Sequence, residues 1–117
     1  MPEKKTSGEV KEKTYTLSIN VKPVGGAAFA EEIYVVGNIQ KLGEWEPKKA
    51  KALKAAEGDK YTVNVTGLSM GTEVEFKVLC AKSWDKVEKG ANFEEIQNHV
   101  VTVNGKTVVD VEVYNWA

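Results

Sequence analysis

The segment "TYTLSINVK", residues 14–22, decides the fold class, because its side chains alternate between apolar and polar. A period of two puts all the apolar side chains on one face of an extended chain, so the segment predicts a half-buried β-strand. The strand should end at Pro23, which has no N–H to offer a neighbouring strand. The apolar positions are Tyr15, Leu17, Ile19 and Val21.

The same alternation recurs in short segments along the chain, separated by residues that favour turns. Asn104-Gly105 is the strongest hairpin signal, because both residues tolerate positive φ. It should join the valine-rich segments on either side. "KKAKALKAAE", residues 48–57, is short and follows Pro47, so we expect a loop that runs into a short strand. The apolar run at 33–36 is expected to be the second strand, and the other alternating segments are residues 61–65, 74–80 and 109–113.

These patterns predict an all-β chain of seven or eight short strands, folded as an antiparallel β-sandwich or a small open barrel. Residues 1–13 are mostly polar and charged and are expected to be a flexible tail or linker, with the folded domain at 14–117. Cys80 is in step with the apolar residues of 74–80 and is expected to face the core as a structural thiol.

Composition excludes several classes of function. The formal net charge of −1 creates no field that favours nucleic acid or an anionic membrane. No apolar segment is long enough to span a bilayer, and the N-terminal residues resemble no signal peptide. A single cysteine allows no internal disulfide and no multi-cysteine metal motif, so neither a metal nor a cofactor is expected.

Catalysis is not expected either. The chain has one histidine, His99, at the start of a valine-rich segment, where an ordinary sheet or surface role is typical. No known nucleophile, zinc or nucleotide motif occurs. Adjacent carboxylates such as Glu31 and Glu32 would point to opposite faces of an extended chain, which does not suit an acid/base pair.

Three tryptophans remain to be explained. Trp116 follows the last apolar segment and is expected to pack over one end of the sandwich. Trp45 and Trp84 lie in polar segments, "LGEWEP" and "AKSWDKVE", whose turns need no indole. Each of these two indoles either covers the edge of the core or binds a ligand.

Four segments in order carry a family resemblance: "EEIYVVGNIQKLGEWEPKKAKAL", "YTVNVTGLSMGTEVEFKV", "NHVVTV" and the terminal "NW". They resemble the starch-binding domains of carbohydrate-binding module family 20. The most specific matches are "LGEW", residues 42–45, and "EFK", residues 75–77. The resemblance covers residues 15 to 116 and implies a non-catalytic, antiparallel immunoglobulin-like β-sandwich rather than a barrel. It also implies binding of α-1,4-glucans at up to two sites.

The resemblance also implies roles for particular residues. Trp45 occupies the main stacking position, Lys77 matches a lysine that hydrogen-bonds sugar hydroxyls, and Asn98 matches an asparagine before the last hairpin. Trp84 would be a second platform, although the family usually has that tryptophan where this chain has Val87-Glu88. The expected carbohydrate-binding residues are Trp45, Lys77, Trp84, Asn98 and Glu88.

The sequence departs from the family pattern at three places. "KGANFEEIQ", residues 89–97, is an insertion before Asn98, and His99 replaces the usual arginine. Phe29 matches one of two tyrosines of the family's second site, but the segment that carries the other is shortened. Phe29 is therefore a candidate for a second site that is incomplete in this chain.

The expected partners are starch, glycogen or maltooligosaccharides and the catalytic domain of a parent glycoside hydrolase. The resemblance implies an extracellular location within a larger secreted enzyme. Two alternatives stay open: a protein-interaction or spacer β-sandwich, in which both indoles pack at the core edge, and a glycogen-binding module of a regulatory protein. The first alternative would not respond to sugar, whereas the second would use the same stacking chemistry.

Overall fold

The computed structural model describes residues 13–117, so the predicted tail at 1–13 lies outside the described residues except for Lys13. Within 13–117 the chain forms ten strands and four short 3₁₀ segments. The strands are β1 Thr14–Pro23, β2 Tyr34–Gly37, β3 Lys51–Ala52, β4 Lys54–Ala56, β5 Lys60–Ser69, β6 Glu73–Leu79, β7 Glu88–Lys89, β8 His99–Thr102, β9 Thr107–Val113 and β10 Asn115–Trp116.

Two four-stranded sheets make up the sandwich, with strand orders β4-β5-β1-β9 and β3-β2-β6-β8. A two-stranded β10-β7 sheet adjoins them. The described residues contain more strands than the seven or eight predicted, because very short strands such as β3 and β7 leave no alternation to detect in the sequence. The all-β sandwich itself is confirmed.

The core lies between the two large sheets. Leu17 and Ile19 of β1 and Phe76 and Val78 of β6 are all fully buried in one apolar cluster. The predicted alternation is confirmed here, since Lys77 lies between two of these residues and is only partly buried. Burial of a Leu, Ile, Phe or Val side chain stabilises the fold by about 1.5–3 kcal/mol, so the alternating segments supply the main driving force.

Cys80 follows the end of β6 and is partly buried at the edge of the core. Burial raises the pKa of its thiol, and the charge of Lys86 opposes that shift less strongly. A thiol with a raised pKa forms little thiolate near neutral pH, which suits the expected structural role.

Trp116 closes one end of the sandwich, as its position in the sequence predicts. Its ring is 7% exposed. The indole Nε1–H donates to the carbonyl oxygen of Ala27 at 3.1 Å. The buried end of the indole therefore has the hydrogen-bond partner that a tryptophan in a core requires.

The strand order corrects two predictions about pairing. β1 pairs with β9 in parallel, so one large sheet is mixed rather than purely antiparallel. Asn104-Gly105 does not make a hairpin, because β8 pairs with β6 whereas β9 pairs with β1 in the opposite sheet. Gly105 has φ 85°, so the turn geometry was predicted correctly, but the chain uses it to cross between sheets.

The segment at 48–57 forms β3 and β4, as expected for a loop that runs into short strands. Leu53 between them is buried in the core, and its N–H donates to the carbonyl oxygen of Ile33 at 2.9 Å. β3 pairs with β2 and β4 pairs with β5, so this segment links the two sheets along one side.

Candidate functional site

Two of the tryptophans lie side by side at a pocket of about 520 Å³. The ring centroids of Trp45 and Trp84 are 6.4 Å apart, and the ring planes are tilted by 30°. The full lining is Trp45, Lys77, Trp84, Asp85, Val87, Lys89, Glu95, Asn98 and Ala117. The two indoles thus form two adjoining apolar platforms, and charged or amide side chains make up most of the remaining lining.

The backbone around Trp45 is held in an unusual conformation. Glu44 and Trp45 have φ values of 51° and 65°, which residues with a Cβ rarely adopt. The Trp45 N–H donates to the carbonyl oxygen of Gly37 at 2.9 Å, and this bond ties the loop to the end of β2. A left-handed non-glycine residue costs on the order of 1–3 kcal/mol, and such strain is typical of functional sites.

Trp45 both packs and lines the pocket. On one side it contacts a small apolar cluster whose buried members are Val36, Ala50 and Leu79. This cluster is separate from the main core, so the indole covers a second layer of apolar residues. The same ring contributes to the pocket wall. Core-edge packing and ligand binding are therefore compatible for this residue.

Trp84 projects from a short 3₁₀ segment, Trp84–Lys86, and is 42% exposed. Ser83 begins this segment, and its hydroxyl accepts a hydrogen bond from the Asp85 N–H at 3.1 Å. Lys82 Nζ lies 5.7 Å from the centroid of the Tyr34 ring, at a distance suited to a cation–π contact. These local contacts orient the loop and present the Trp84 ring to the pocket.

The polar side chains of the pocket are positioned by hydrogen bonds. Lys77 Nζ donates to the carbonyl oxygen of Ile96, and Asn98 Nδ2 donates to Glu75 Oε1 at 3.3 Å. An ammonium has three N–H donors and an amide has two donors and an acceptor oxygen. Each group therefore has capacity for further hydrogen bonds to a ligand in the pocket.

The insertion at 89–97 folds into a compact turn beside the pocket. The Gly90 N–H donates to the carbonyl oxygen of Glu94 at 2.9 Å. Lys89 Nζ and Glu95 Oε2 are 3.7 Å apart, and both residues line the pocket. The insertion thus supplies part of the polar wall, and its carbonyl group at Ile96 holds Lys77 in place.

Residues 13–117 contain no group of three or more His, Cys, Asp or Glu side chains that could hold a metal ion. Over the same residues, no helix has the length and apolar character needed to cross a membrane. The chemistry that the pocket offers is stacking on aromatic rings combined with hydrogen bonds donated by ammonium and amide groups and accepted by amide and carboxylate oxygens.

A sequence profile described as "Starch binding domain" matches residues 14–112, most of the chain. The chain belongs to this starch-binding domain family. The expected family, family 20 of the carbohydrate-binding modules, is therefore confirmed. Members are non-catalytic carbohydrate-binding domains, so the prediction that this domain is not an enzyme is also confirmed.

Individual relatives agree with the family assignment. The chain is 37% identical over 76 residues to an amylopullulanase of Thermoanaerobacter thermohydrosulfuricus, a match that covers 62% of this chain and 5% of that protein. It therefore spans a small part of the length of this relative. The similar structures below are under a quarter identical to the starch-binding domain described here, so they support its fold alone.

The structural neighbours include a module of the same family solved in isolation. This family 20 module comes from a maltotetraose-forming amylase of Pseudomonas saccharophila STB07, with TM-score 0.59, 19% identity, and coverage of 83% of this chain and 98% of that one. A glucoamylase of Hypocrea jecorina gives TM-score 0.63 and 18% identity, with coverage of 95% of this chain and 19% of that one. Both matches support the β-sandwich.

The structure brings together four of the five residues expected at the main site of the starch-binding domain. Trp45, Lys77, Trp84 and Asn98 all line the pocket. The expectation for Glu88 is wrong, because its side chain is 1% exposed and lies outside the pocket lining. Its alternating position on β7 turns the carboxylate inward, whereas Val87 and Lys89 on either side of it face the pocket.

Phe29 is 77% exposed and is not part of this pocket. Sequence reasoning also missed five residues of the lining, namely Asp85, Val87, Lys89, Glu95 and Ala117. Asp85 follows Trp84 directly in the sequence, and this adjacency could have indicated that Asp85 also lines the pocket. Lys89 and Glu95 belong to the insertion, whose path could not be derived from the family pattern, and Ala117 reaches the pocket only through the β10-β7 pairing.

Proposed function

We propose that this starch-binding domain binds α-1,4-glucan chains, including maltooligosaccharides and cyclodextrins, in the pocket formed by Trp45 and Trp84. The observation that carries the proposal is the adjacency of two indoles, 6.4 Å apart, in a pocket lined by donors and acceptors. A glucose ring presents C–H groups on its faces and hydroxyls at its edges. Flat aromatic rings bordered by polar side chains match both parts.

The two rings are tilted by 30° rather than coplanar. A curved glucan such as a cyclodextrin presents successive sugar faces at an angle, so two tilted platforms suit it better than one flat surface would. Lys77 and Asn98 lie beside the platform and would hydrogen-bond the hydroxyls at the edge of the chain. Glycogen contains the same α-1,4-linked chains and would be bound by the same contacts.

Affinity should be weak at a single site. Burial of ~100 Å² of apolar surface per stacked sugar at ~25 cal/mol/Å² gives ~2.5 kcal/mol, part of which is lost to ordering and dehydration. Dissociation constants of about micromolar to millimolar are expected.

A domain of this kind acts by tethering: it keeps the catalytic domain of a parent glycoside hydrolase close to the polymer and raises its local concentration.

The same proposal places the parent protein outside the cell, since a starch polymer is too large to be taken up intact. Phe29 is the candidate for a second, weaker contact with the polymer, because it is 77% exposed. We propose it only as an isolated contact, consistent with the shortened segment between β3 and β5.

Titration with β-cyclodextrin, followed by tryptophan fluorescence, tests the proposed function. Trp45 and Trp84 line the pocket and should respond, whereas buried Trp116 should contribute a constant background. We expect a saturable change with a dissociation constant between about one micromolar and one millimolar. A β-1,4-linked cello-oligosaccharide is the control and should give a much smaller change. A protein that responds to neither sugar would support the spacer or protein-interaction alternative.

Replacement of the second indole, Trp84→Ala, should weaken β-cyclodextrin binding about tenfold by removing one of two platforms, as measured by calorimetric titration. Tyr114→Ala is a matched control, because Tyr114 is 41% exposed, similar to Trp84 at 42%, but lies outside the pocket. Unchanged affinity in Trp84→Ala would mean that Trp45 is the single platform.

A further inference from the structure

Glu88 is the one charged residue buried among the described residues, with 1% exposure. A carboxylate taken out of water loses several kcal/mol of solvation unless nearby groups compensate for it. The proposed sugar contacts do not use this residue, since it lies outside the pocket lining. Its burial therefore needs an explanation from the contacts that it makes.

The Glu88 carboxylate joins three strands. Its Oε2 accepts from the Val78 N–H of β6 at 2.7 Å. His99 Nε2 of β8 lies 2.8 Å from Oε2 and 3.0 Å from Oε1. A carboxylate in its ionised form only accepts, so this contact calls for the His99 tautomer with a proton on Nε2. The backbone pairing of β8 with β6 ends where His99 lies opposite Phe76. Beyond that pair, the Glu88 carboxylate connects the two strands through the Val78 N–H and the His99 ring.

Each residue tied by this carboxylate is next in sequence to a residue that lines the pocket. Val78 follows Lys77, and His99 follows Asn98. Glu88 itself lies between Val87 and Lys89, which also line the pocket. Side chains alternate between the two faces of a strand, so a group that anchors one residue from the inside fixes its neighbours on the outside.

We infer that Glu88 is a positioning residue for the glucan pocket. From the buried side, its carboxylate fixes the strands that present Lys77, Asn98, Val87 and Lys89 to the ligand. The inference rests on the proposed function and assigns Glu88 no contact with sugar. β7 is also held by its pairing with β10 and by a bridge between Val87 and Leu79, and β8 begins at His99. The Glu88 carboxylate adds a side-chain tie from β7 to both β6 and the start of β8. Movement of either strand would displace polar groups from the ligand.

The test compares Glu88→Gln with Glu88→Ala, each measured well below its thermal unfolding midpoint, by titration with β-cyclodextrin. Gln keeps an oxygen for the Val78 N–H and an N–H for the other tautomer of His99, so affinity should stay within about twofold of the unaltered protein. Ala removes both ties, and the affinity of the folded protein should fall about tenfold. The side-chain amide signals of Asn98 in ¹⁵N spectra should shift in the Ala variant alone.

His99→Ala supplies a second test that does not depend on how Glu88→Ala folds. It removes the β8 tie, together with the contact of the His99 ring with Phe76 (centroids 5.1 Å apart), at a side chain that is 24% exposed. An affinity loss of about threefold is expected. Val100→Ala is the control on the same strand, since Val100 is 56% exposed and lies outside the pocket. It should leave affinity unchanged.

The outcomes separate the two proposals. A purely structural role for Glu88 would lower the unfolding midpoint of Glu88→Ala and leave the affinity of the folded protein and the Asn98 signals unaltered, which would overturn the inference. Equal affinity in His99→Ala and the unaltered protein would also overturn it. If the unaltered protein does not bind β-cyclodextrin, the proposed function fails, and the inference fails with it.

Discussion

Replacement of Trp45 by alanine should reduce affinity for β-cyclodextrin by more than about thirtyfold, or about 2 kcal/mol, the largest binding effect expected for any single residue here. The variant loses the ring that lies against Trp84 and contributes to the pocket wall. Calorimetric titration measures the loss directly, and binding to granular starch should fall in parallel.

The same variant should unfold cooperatively with only a modest loss of stability. Trp45 packs against the small outer cluster of Val36, Ala50 and Leu79 rather than within the main core. Alanine at φ 65° would remain strained as tryptophan is, so the substitution leaves the backbone strain of the loop largely unchanged. Trp45→Phe is the matched variant, because it keeps an aromatic face and should retain part of the affinity. A large loss of stability with unchanged affinity would assign the indole to packing alone.

The core and the pocket residues with family matches could be predicted from the sequence. Alternation in 74–80 correctly placed Phe76 inside and Lys77 outside, because burial enforces a period of two along a strand. The loop position of Trp45 was informative for a physical reason. Glycine and proline suffice to build a turn, so an indole there had to pack, bind, or do both.

The pairing of strands could not be predicted in the same way. Asn104-Gly105 forms the expected kind of turn, but a turn signal does not specify whether the next strand returns to the same sheet. Here β9 pairs with β1 in a parallel register that aligns Ile19 with Val109 and Val21 with Val111. This pairing completes the apolar face of the β4-β5-β1-β9 sheet. Contacts between distant segments, rather than local geometry, decide this choice.

The side of the pocket built by the insertion was also beyond sequence reasoning. Nothing in "KGANFEEIQ" indicates that its backbone carbonyl at Ile96 would hold Lys77. Glu88 was misassigned for a related reason: a charged residue near expected ligand contacts suggests exposure, whereas its hydrogen bonds with the Val78 N–H and with His99 Nε2 allow it to be buried. Such compensation becomes visible only when the partners are placed in space.

Substitution of Gly37 by alanine should destabilise the domain by about 3 kcal/mol, because there is no room for a Cβ at this position. An added Cβ would lie 2.3 Å from the backbone oxygen of Glu75 and 2.9 Å from Leu42 Cδ1. The first contact is with backbone of the neighbouring strand, so it cannot be relieved by rotation of a side chain. β2 and β6 would have to separate where the loop that carries Trp45 begins.

That separation should also weaken sugar binding. Asn38 continues the β2–β6 pairing, since its N–H donates to the Glu75 carbonyl at 3.0 Å and its Oδ1 accepts from the Glu75 N–H at 2.8 Å. The Gly37 carbonyl in turn holds the Trp45 N–H. A displaced Glu75 carbonyl disturbs both connections, so affinity for β-cyclodextrin should fall about tenfold even in the folded fraction.

Chemical denaturation and titration of Gly37→Ala, with Gly71→Ala for comparison, separate steric overlap from backbone strain. Gly71 has φ 86° and no atom within 4 Å of an added Cβ, so its substitution should cost about 1–2 kcal/mol through conformation alone and leave affinity unchanged. Gly37 has no positive φ, so its larger cost must come from the clash with β6. If Gly37→Ala instead matches the unaltered protein in both stability and affinity, the β2–β6 contact is not what holds Trp45 at the pocket.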